Sequence, residues 1–385
     1  MDNTMNKNKK VLFFVNILKH GAGMVNREIG FATELSKRGW DITFLSYFKS
    51  QISLSARNIK TESVIPTPYF SWLYNTRLAW PLAFILICYK LIKVRPDIVC
   101  VDLPHEAAWA IRLRRIFRYK IIFTYHGVDD PIFYEGAQAE YFEQVREDHY
   151  KLLPKVDEAI IVSDYLQEQM DNIAVKATRI YNGIEHNVFN PNKKIKCIEV
   201  VKPLVLSLNR YTVSKGVFTI VKAFAIAVKK IPNAELICYG IQEDKEYVQQ
   251  IQDFIIQEGL EDSIYIFGMI DSDEMPYRMC EATLFANAAL YESFGMPMAE
   301  AEACGVPCVA FDIQGIPEVV LDKKTGLLAE ANNIEQFAEN MVTIMTNPEL
   351  RESYSNNAIE HCESFKYSSL VNQLEPLFTG LTSNE

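Results

Sequence analysis

The chain has 385 residues, 49% hydrophobic and 23% charged, with 16 Gly and 16 Pro. This is ordinary globular usage and excludes a disordered, collagenous or coiled-coil protein, and at roughly 150 residues per domain the length predicts two or three domains. The net charge of −10 is uneven, +3 over residues 1–190 and −13 over residues 191–385, and an acidic half without a continuous basic face excludes a protein that wraps nucleic acid.

Taken in chain order, the apolar run Lys10–Asn16, a helical spacing over Met24–Arg38 ending at Gly39, and a second run at Asp41–Tyr47 form one βαβ unit. Strands at Asp97–Val101, Lys120–Tyr125, Glu158–Val162 and Thr178–Tyr181 continue it, with helices near 75–94, 104–116, 138–153 and 164–171. After the polar break Asn190-Pro191-Asn192-Lys193-Lys194 the pattern restarts. Strands are expected at Leu204–Leu208, Ala234–Tyr239, Ser263–Phe267, Thr283–Asn287 and Pro307–Phe311. Helices are expected near 216–230, 243–258, 272–281, 296–304, 315–321 and 333–347, before a helical tail broken at Phe365 and Tyr367. Strands alternating with helices predict buried parallel sheets, here in two α/β domains joined near 190–202.

Eight scattered Cys with no C-x-x-C predict reduced, mostly buried thiols. The polar start MDNTMNKNKK has no signal-peptide core, and the longest apolar run, Leu78–Tyr89, is interrupted by Pro81 and falls short of the ~20 residues of a membrane span. A cytoplasmic protein is expected. Residues 77–120 nonetheless hold nine basic residues against three acidic ones, with Lys90, Lys93 and Arg95 after the apolar run and Arg112, Arg114, Arg115 and Arg118 on a helix that bears Trp109. That combination predicts weak, salt-sensitive contact with an anionic membrane surface; a buried crossover helix with solvated arginines accounts for it equally well.

In doubly wound sheets ligands sit beyond the carboxyl ends of the strands. In Glu292-Ser-Phe-Gly-Met-Pro-Met-Ala-Glu300, Pro297 suits a first helical turn, which places the amides of Phe294, Gly295 and Met296 at a helix N-terminus. Glu292 precedes that helix and Glu300 lies about one turn inside it, so both carboxylates could accept hydroxyl hydrogen bonds from one cleft. A capping acid and a solvated helix Glu would explain either residue alone; the whole string favours a site. Arg210 follows the strand Leu204–Leu208 and Lys215-Gly216 opens the next helix, so two cations converge where an anion would sit; a surface Arg and Lys flanking a turn account for the pair taken alone equally well. His126 ends the strand Lys120–Tyr125, and Gly21-Ala22-Gly23 follows strand one, either as a phosphate or sugar approach or as a plain tight turn. Asp271-Ser272-Asp273 is expected to cap a helix rather than hold a metal, and the six His show no ligand spacing.

The 292–300 string resembles the glutamate–seven residues–glutamate signature of retaining, nucleotide-sugar-dependent glycosyltransferases of family four. Asn209-Arg210…Lys215-Gly216, Asn182-Gly183-Ile184-Glu185 and Gln314-Gly315-Ile316-Pro317-Glu318 are similar to three further segments of that family, over nearly the whole chain. The sequence departs from the family pattern at Asn209, at Ser293 and at Ala288-Ala289.

The resemblance implies a GT-B fold, two Rossmann-like doubly wound domains facing a cleft. Residues 1–190 would bind the acceptor, 200–365 the nucleotide sugar, and a C-terminal helix within 366–385 would cross back to the first domain. Arg210 and Lys215 would hold the diphosphate, Glu300 the ribose hydroxyls, Glu292 and the amides after it the donor sugar, with Gly23 at the donor and His126 near the reaction centre. The implied activity is sugar transfer to a glycan, lipid-linked or small-molecule acceptor with retention of configuration and no metal cofactor, in polysaccharide biosynthesis; the basic segment 77–120 adds the expectation of a cytoplasmic protein, either free or peripheral at the inner face of the membrane. A sugar-nucleotide epimerase of the same fold and a non-catalytic sugar-nucleotide-binding subunit are the alternatives.

Overall fold

A computed structural model describes residues 9–16, 23–48, 50, 52–64, 79–193 and 202–383. Gly21, Ala22, Arg77, Leu78 and Cys197 lie outside these residues. The described chain divides into two compact units, one built from residues up to 128 with 140–183 and 367–385, the other from 129–139 with 184–366. The division therefore falls at Gly183 and Ile184, earlier than the polar break at 190–194, and the returning tail begins at Tyr367.

The first unit runs β1 (Lys10–Val15), α1 (Gly23–Lys37), β2 (Asp41–Ser46), β3 (Lys60–Ser63), α2 (Ala79–Val94), β4 (Ile98–Val101), α3 (Pro104–Phe117), β5 (Lys120–Tyr125), α4 (Ala137–Leu152), β6 (Glu158–Ile161), α5 (Gln167–Asn172) and β7 (Ala177–Arg179). Its seven strands are all parallel in the order β3-β2-β1-β4-β5-β6-β7.

The second unit runs β8 (Leu204–Leu208), α6 (Val217–Ala227), β9 (Glu235–Tyr239), α7 (Lys245–Gln257), β10 (Ile264–Phe267), α8 (Met275–Glu281), β11 (Leu284–Asn287), α9 (Met296–Ala303), β12 (Cys308–Phe311), α10 (Ile316–Val319), β13 (Gly326–Ala329), α11 (Ile334–Thr346) and α12 (Pro348–Cys362). Its six strands are parallel in the order β10-β9-β8-β11-β12-β13. The expected elements are present; β3 and β13, both edge strands, are additions.

Helices cover both faces of each sheet, so central strands such as β4 and β12 are buried at every residue. In each sheet the strand order reverses once, between β1 and β4 and between β8 and β11. In doubly wound sheets such a reversal marks the place where a crevice forms at the carboxyl ends of the strands. Of the seven described cysteines, six are buried and none is bridged.

The last helix, α13 (Tyr367–Thr382), belongs to the first unit. Leu370, Val371, Leu374 and Phe378 are buried in that unit's core with Phe31 and Trp40. Glu375 accepts from Trp40 Nε1 at 2.9 Å and from Arg38 Nη1 at 2.8 Å. The Tyr367 ring is held where Gly30 and Gly183 leave room: a Cβ at these glycines would lie 2.1 Å and 2.2 Å from ring carbons. In Gly30→Ala the helix-propensity gain of about 1 kcal/mol opposes an overpacking cost of about 1–3 kcal/mol. We expect net destabilisation in urea titrations, relieved in a Tyr367→Ala background. Stabilisation by Gly30→Ala alone would contradict the packing.

Candidate functional site

The chemistry expected of the second unit gathers where β8 and β11 part. Asn209 follows β8 and Asn287 ends β11; both are buried, and Asn287 Nδ2 donates to Asn209 Oδ1 at 3.4 Å. Beyond them, residues 210–216 turn through a short 3-10 segment into α6. Gly216 has φ 65°, and a Cβ there would stand 1.9 Å from Ala288 O, so only glycine lets this loop lie against the end of β11. Leu290 N donates to Ser214 O at 2.8 Å, joining the two loops.

That junction brings Lys215 to Glu292. Lys215 Nζ lies 3.1 Å from Glu292 Oε2 and 3.0 Å from Tyr291 O, with both side chains largely buried. Glu292 is clasped from behind as well. Its N–H donates to Gln314 Oε1 at 2.7 Å, and its carbonyl accepts from Gly315 N at 3.2 Å. Helix α9 then starts at Met296, after Gly295, with Pro297 in its first turn, as the sequence predicts. Glu300 sits in that helix, and burial pushes its carboxyl up to about 8.

Arg210 meets a group that sequence reasoning missed. Its Nη2 lies 3.2 Å from Asp129 Oδ2, which also accepts from Tyr134 OH at 2.6 Å. Tyr134 OH stands 3.2 Å from Ser214 Oγ. The signal for Asp129 was its place three residues after His126 in a strand-end loop.

In the first unit, His126 follows β5 and is largely enclosed, its side chain 15% exposed and its Nε2 3.5 Å from Asp102 Oδ1. Burial, with Arg27 adding to it, pushes the imidazole down to about 3. Asp102, just beyond β4, is pushed up to about 7 by burial. Glu28 on α1 also rises to about 7, through burial and the charge of Asp102, against the pull of Arg27 at 2.6 Å. At neutral pH the imidazole is neutral, so the His126–Asp102 contact is not a full ion pair. Asp102, Glu28 and Arg27 were not foreseen as part of this cluster, although Asp102 leaves a strand at the order reversal.

One expectation needs correction. Glu274, not Asp271, Ser272 or Asp273, occupies the cap position of α8, without a side-chain cap bond, and the three residues are exposed on the preceding turn. The basic segment is partly neutralised: Lys90 and Lys93 pair with Glu62 at 2.7 and 2.6 Å, Arg114 pairs with Asp157 at 2.8 Å, and Trp109 is buried. Gly23 opens α1.

Two doubly wound parallel-sheet domains, with cations and carboxylates on the loops after the second sheet's strands, define a protein of the GT-B fold class. A family model described as Glycosyltransferase Family 4 matches residues 22–188, and one described as Glycosyl transferases group 1 matches residues 189–361. The chain belongs to this glycosyltransferase family. It is 25% identical over 378 residues to N-acetyl-alpha-D-glucosaminyl L-malate synthase of Bacillus anthracis, covering 93% of each chain. Sucrose-phosphate synthase from Thermosynechococcus elongatus has the same fold at a TM-score of 0.82 and 20% identity, over 98% of this chain and all of that one. Anabaena HepE, solved in complex with UDP and glucose, superposes at 0.77 and 18% identity over 97% and 100% of the two chains.

Because the folded His126 binds its proton more weakly than an unfolded His at about 6.5, its contribution to stability is present above that pH and is lost as the pH falls toward 3. Its ring resonances, assigned by their absence in His126→Ala, are expected to stay at neutral-imidazole positions between pH 5 and 8, with only a small displacement as neighbouring Asp102 titrates. A full shift to imidazolium positions with a midpoint near 6.5 would contradict the neutral ring.

Proposed function

We propose that the protein moves a sugar from a nucleoside-diphosphate donor to an acceptor hydroxyl with retention of anomeric configuration and without a metal. The observation that carries this is the contact of Lys215 Nζ with Glu292 Oε2 at 3.1 Å, which joins a cation suited to phosphate to a carboxylate suited to sugar hydroxyls at one strand-order reversal. The UDP and glucose complex of the Anabaena neighbour supports a nucleotide-sugar donor.

In this reading Arg210 and Lys215 meet the diphosphate, Glu300 the ribose, and Glu292 with the amides of Phe294, Gly295 and Met296 the donor sugar. Gly23 approaches the donor, His126 stands by the reacting carbon, and the first unit takes a glycan, lipid-linked or small-molecule acceptor. The bond from the anomeric carbon to the diphosphate oxygen breaks and the acceptor oxygen bonds to the same face. The acceptor's proton passes to the departing diphosphate. Positive charge develops on the sugar ring and negative charge on the leaving oxygen, where the two cations can take the part a metal plays elsewhere.

Arg210→Ala or Lys215→Ala removes charge-assisted contacts of about 1.5–3 kcal/mol, so kcat/KM is expected to fall about 10- to 150-fold. Glu300→Ala weakens binding of the free nucleotide by calorimetry, whereas Glu292→Ala spares it while transfer falls. Transfer persists in EDTA. Full activity of the Arg210/Lys215 double variant, or loss in EDTA restored by Mn²⁺, would overturn the assignment.

A peripheral position at the inner membrane face is supported by Ile85, Tyr89 and Ile92, at helical spacing on α2 and 57–62% exposed. Ile116 on α3 is equally open, and Arg95, Arg115 and Arg118 are cations without an ion pair among the described residues. An apolar stripe edged by unpaired arginines suits anionic lipid, at about 1 kcal/mol per cation near the surface. Co-sedimentation with anionic liposomes is expected in low salt and is lost in Ile92→Asp or Arg115→Glu/Arg118→Glu. Equal pelleting with neutral vesicles, or none, would leave a soluble acceptor as the better reading.

A further inference from the structure

The two cations of the second unit are held in different ways. Lys215 is fixed within the loops, bonded to the Tyr291 carbonyl and to Glu292, and its side chain is only 13% exposed. Arg210 is 41% exposed and touches its acid, Asp129, through a single nitrogen at 3.2 Å rather than a two-point fork. Such an end-on pair leaves most of the guanidinium's donors free and is the weaker kind of Arg–carboxylate contact. Asp129 has a second, shorter partner in Tyr134 OH at 2.6 Å, so the carboxylate keeps a donor if the arginine leaves. Tyr134 in turn stands 3.2 Å from Ser214, the neighbour of Lys215, so the carboxylate is anchored beside the place where a diphosphate would bind.

On the premise that this unit binds a donor diphosphate, we propose that Asp129 is a positioning residue that occupies Arg210 in the empty protein and yields it to the diphosphate when the donor enters. A diphosphate offers Arg210 a two-point, more highly charged partner, while the Asp129 carboxylate repels that same diphosphate as long as it stays beside the arginine. The exchange therefore costs affinity, and it makes the 129–139 segment sensitive to whether a donor is bound. Arg210 alone is exchangeable, because Lys215 is tied to loop backbone.

The test is calorimetric titration of UDP, GDP and ADP into the full chain. For the nucleotide that wild type binds, Asp129→Asn and Asp129→Ala are each expected to tighten binding about two- to fivefold, the size of a partly exposed ion pair. The gain shrinks as salt rises, and it disappears when Arg210→Ala is added. Unchanged or weakened binding in folded Asp129 variants, or a gain that persists without Arg210, overturns the exchange while leaving the donor site standing. Failure of both variants to fold overturns it too, since a partner the fold cannot spare is not an exchangeable one. Failure of wild type to bind any of the three nucleotides removes the premise and the inference together.

Discussion

The pairing of β8 with β11 in the middle of the second sheet is the constraint on which the site depends. The chain leaves β8 outward through β9 and β10 and returns on the other side of β8, so the loops after β8 and β11 have no shared crossover helix to cover them. Left alone, that gap would expose unpaired backbone at its floor. The buried Asn209 and Asn287 side chains close it, with Asn287 Oδ1 also accepting from Ala289 N at 2.9 Å. The loops above are then bonded to each other at Ser214 and Leu290. Charged groups mounted on loops so joined hold their places, which electrostatic stabilisation of a developing charge requires.

The carboxylates near the strand ends sit in two kinds of surroundings, and buried Glu300, raised to about 8, shares the first kind. In the first, Glu28 and Asp102 are taken out of water with one arginine between them, and both rise to about 7. Near neutral pH such acids spend part of their time protonated and can both donate and accept, which suits neutral hydroxyl groups. In the second, Glu292 stands beside Lys215 and Asp129 beside Arg210. There the acids balance cations, which leaves the surface of the loops after β8 and β11 near neutrality.

Much of this was legible in the sequence, and the reasons for the gaps are specific. Buried central strands such as Leu204–Leu208 and Cys308–Phe311 are apolar on both faces and stand out as short runs. Strand β3 reads Lys-Thr-Glu-Ser and lies at a sheet edge with one neighbour, so no apolar run marks it. The site residues were legible by type because they follow strands. Their partners were not: Asp129 is 81 residues from Arg210, and Asp102 is 24 from His126, distances that carry no signal without the fold. The same blindness inflated the basic segment, since Glu62, which neutralises both Lys90 and Lys93, lies about 30 residues before them.

The turn at Gln314 and Gly315 shows why several weak motifs together are more specific than any one of them. Gln314 adopts φ 48° and Gly315 lies so close to Ser293 O that a Cβ would stand 2.2 Å away, a conformation and a contact with no value to this turn by itself. Their value lies in Glu292, whose N–H and carbonyl both bond to this turn. Lys215, 77 residues before Glu292, sets its carboxylate from the front; Gln314, 22 residues after, sets its backbone from behind. A change at Gln314 would therefore act through Glu292 without touching any ligand. Three segments distant in sequence carry one geometric task, and that shared task is what their co-occurrence along a chain records.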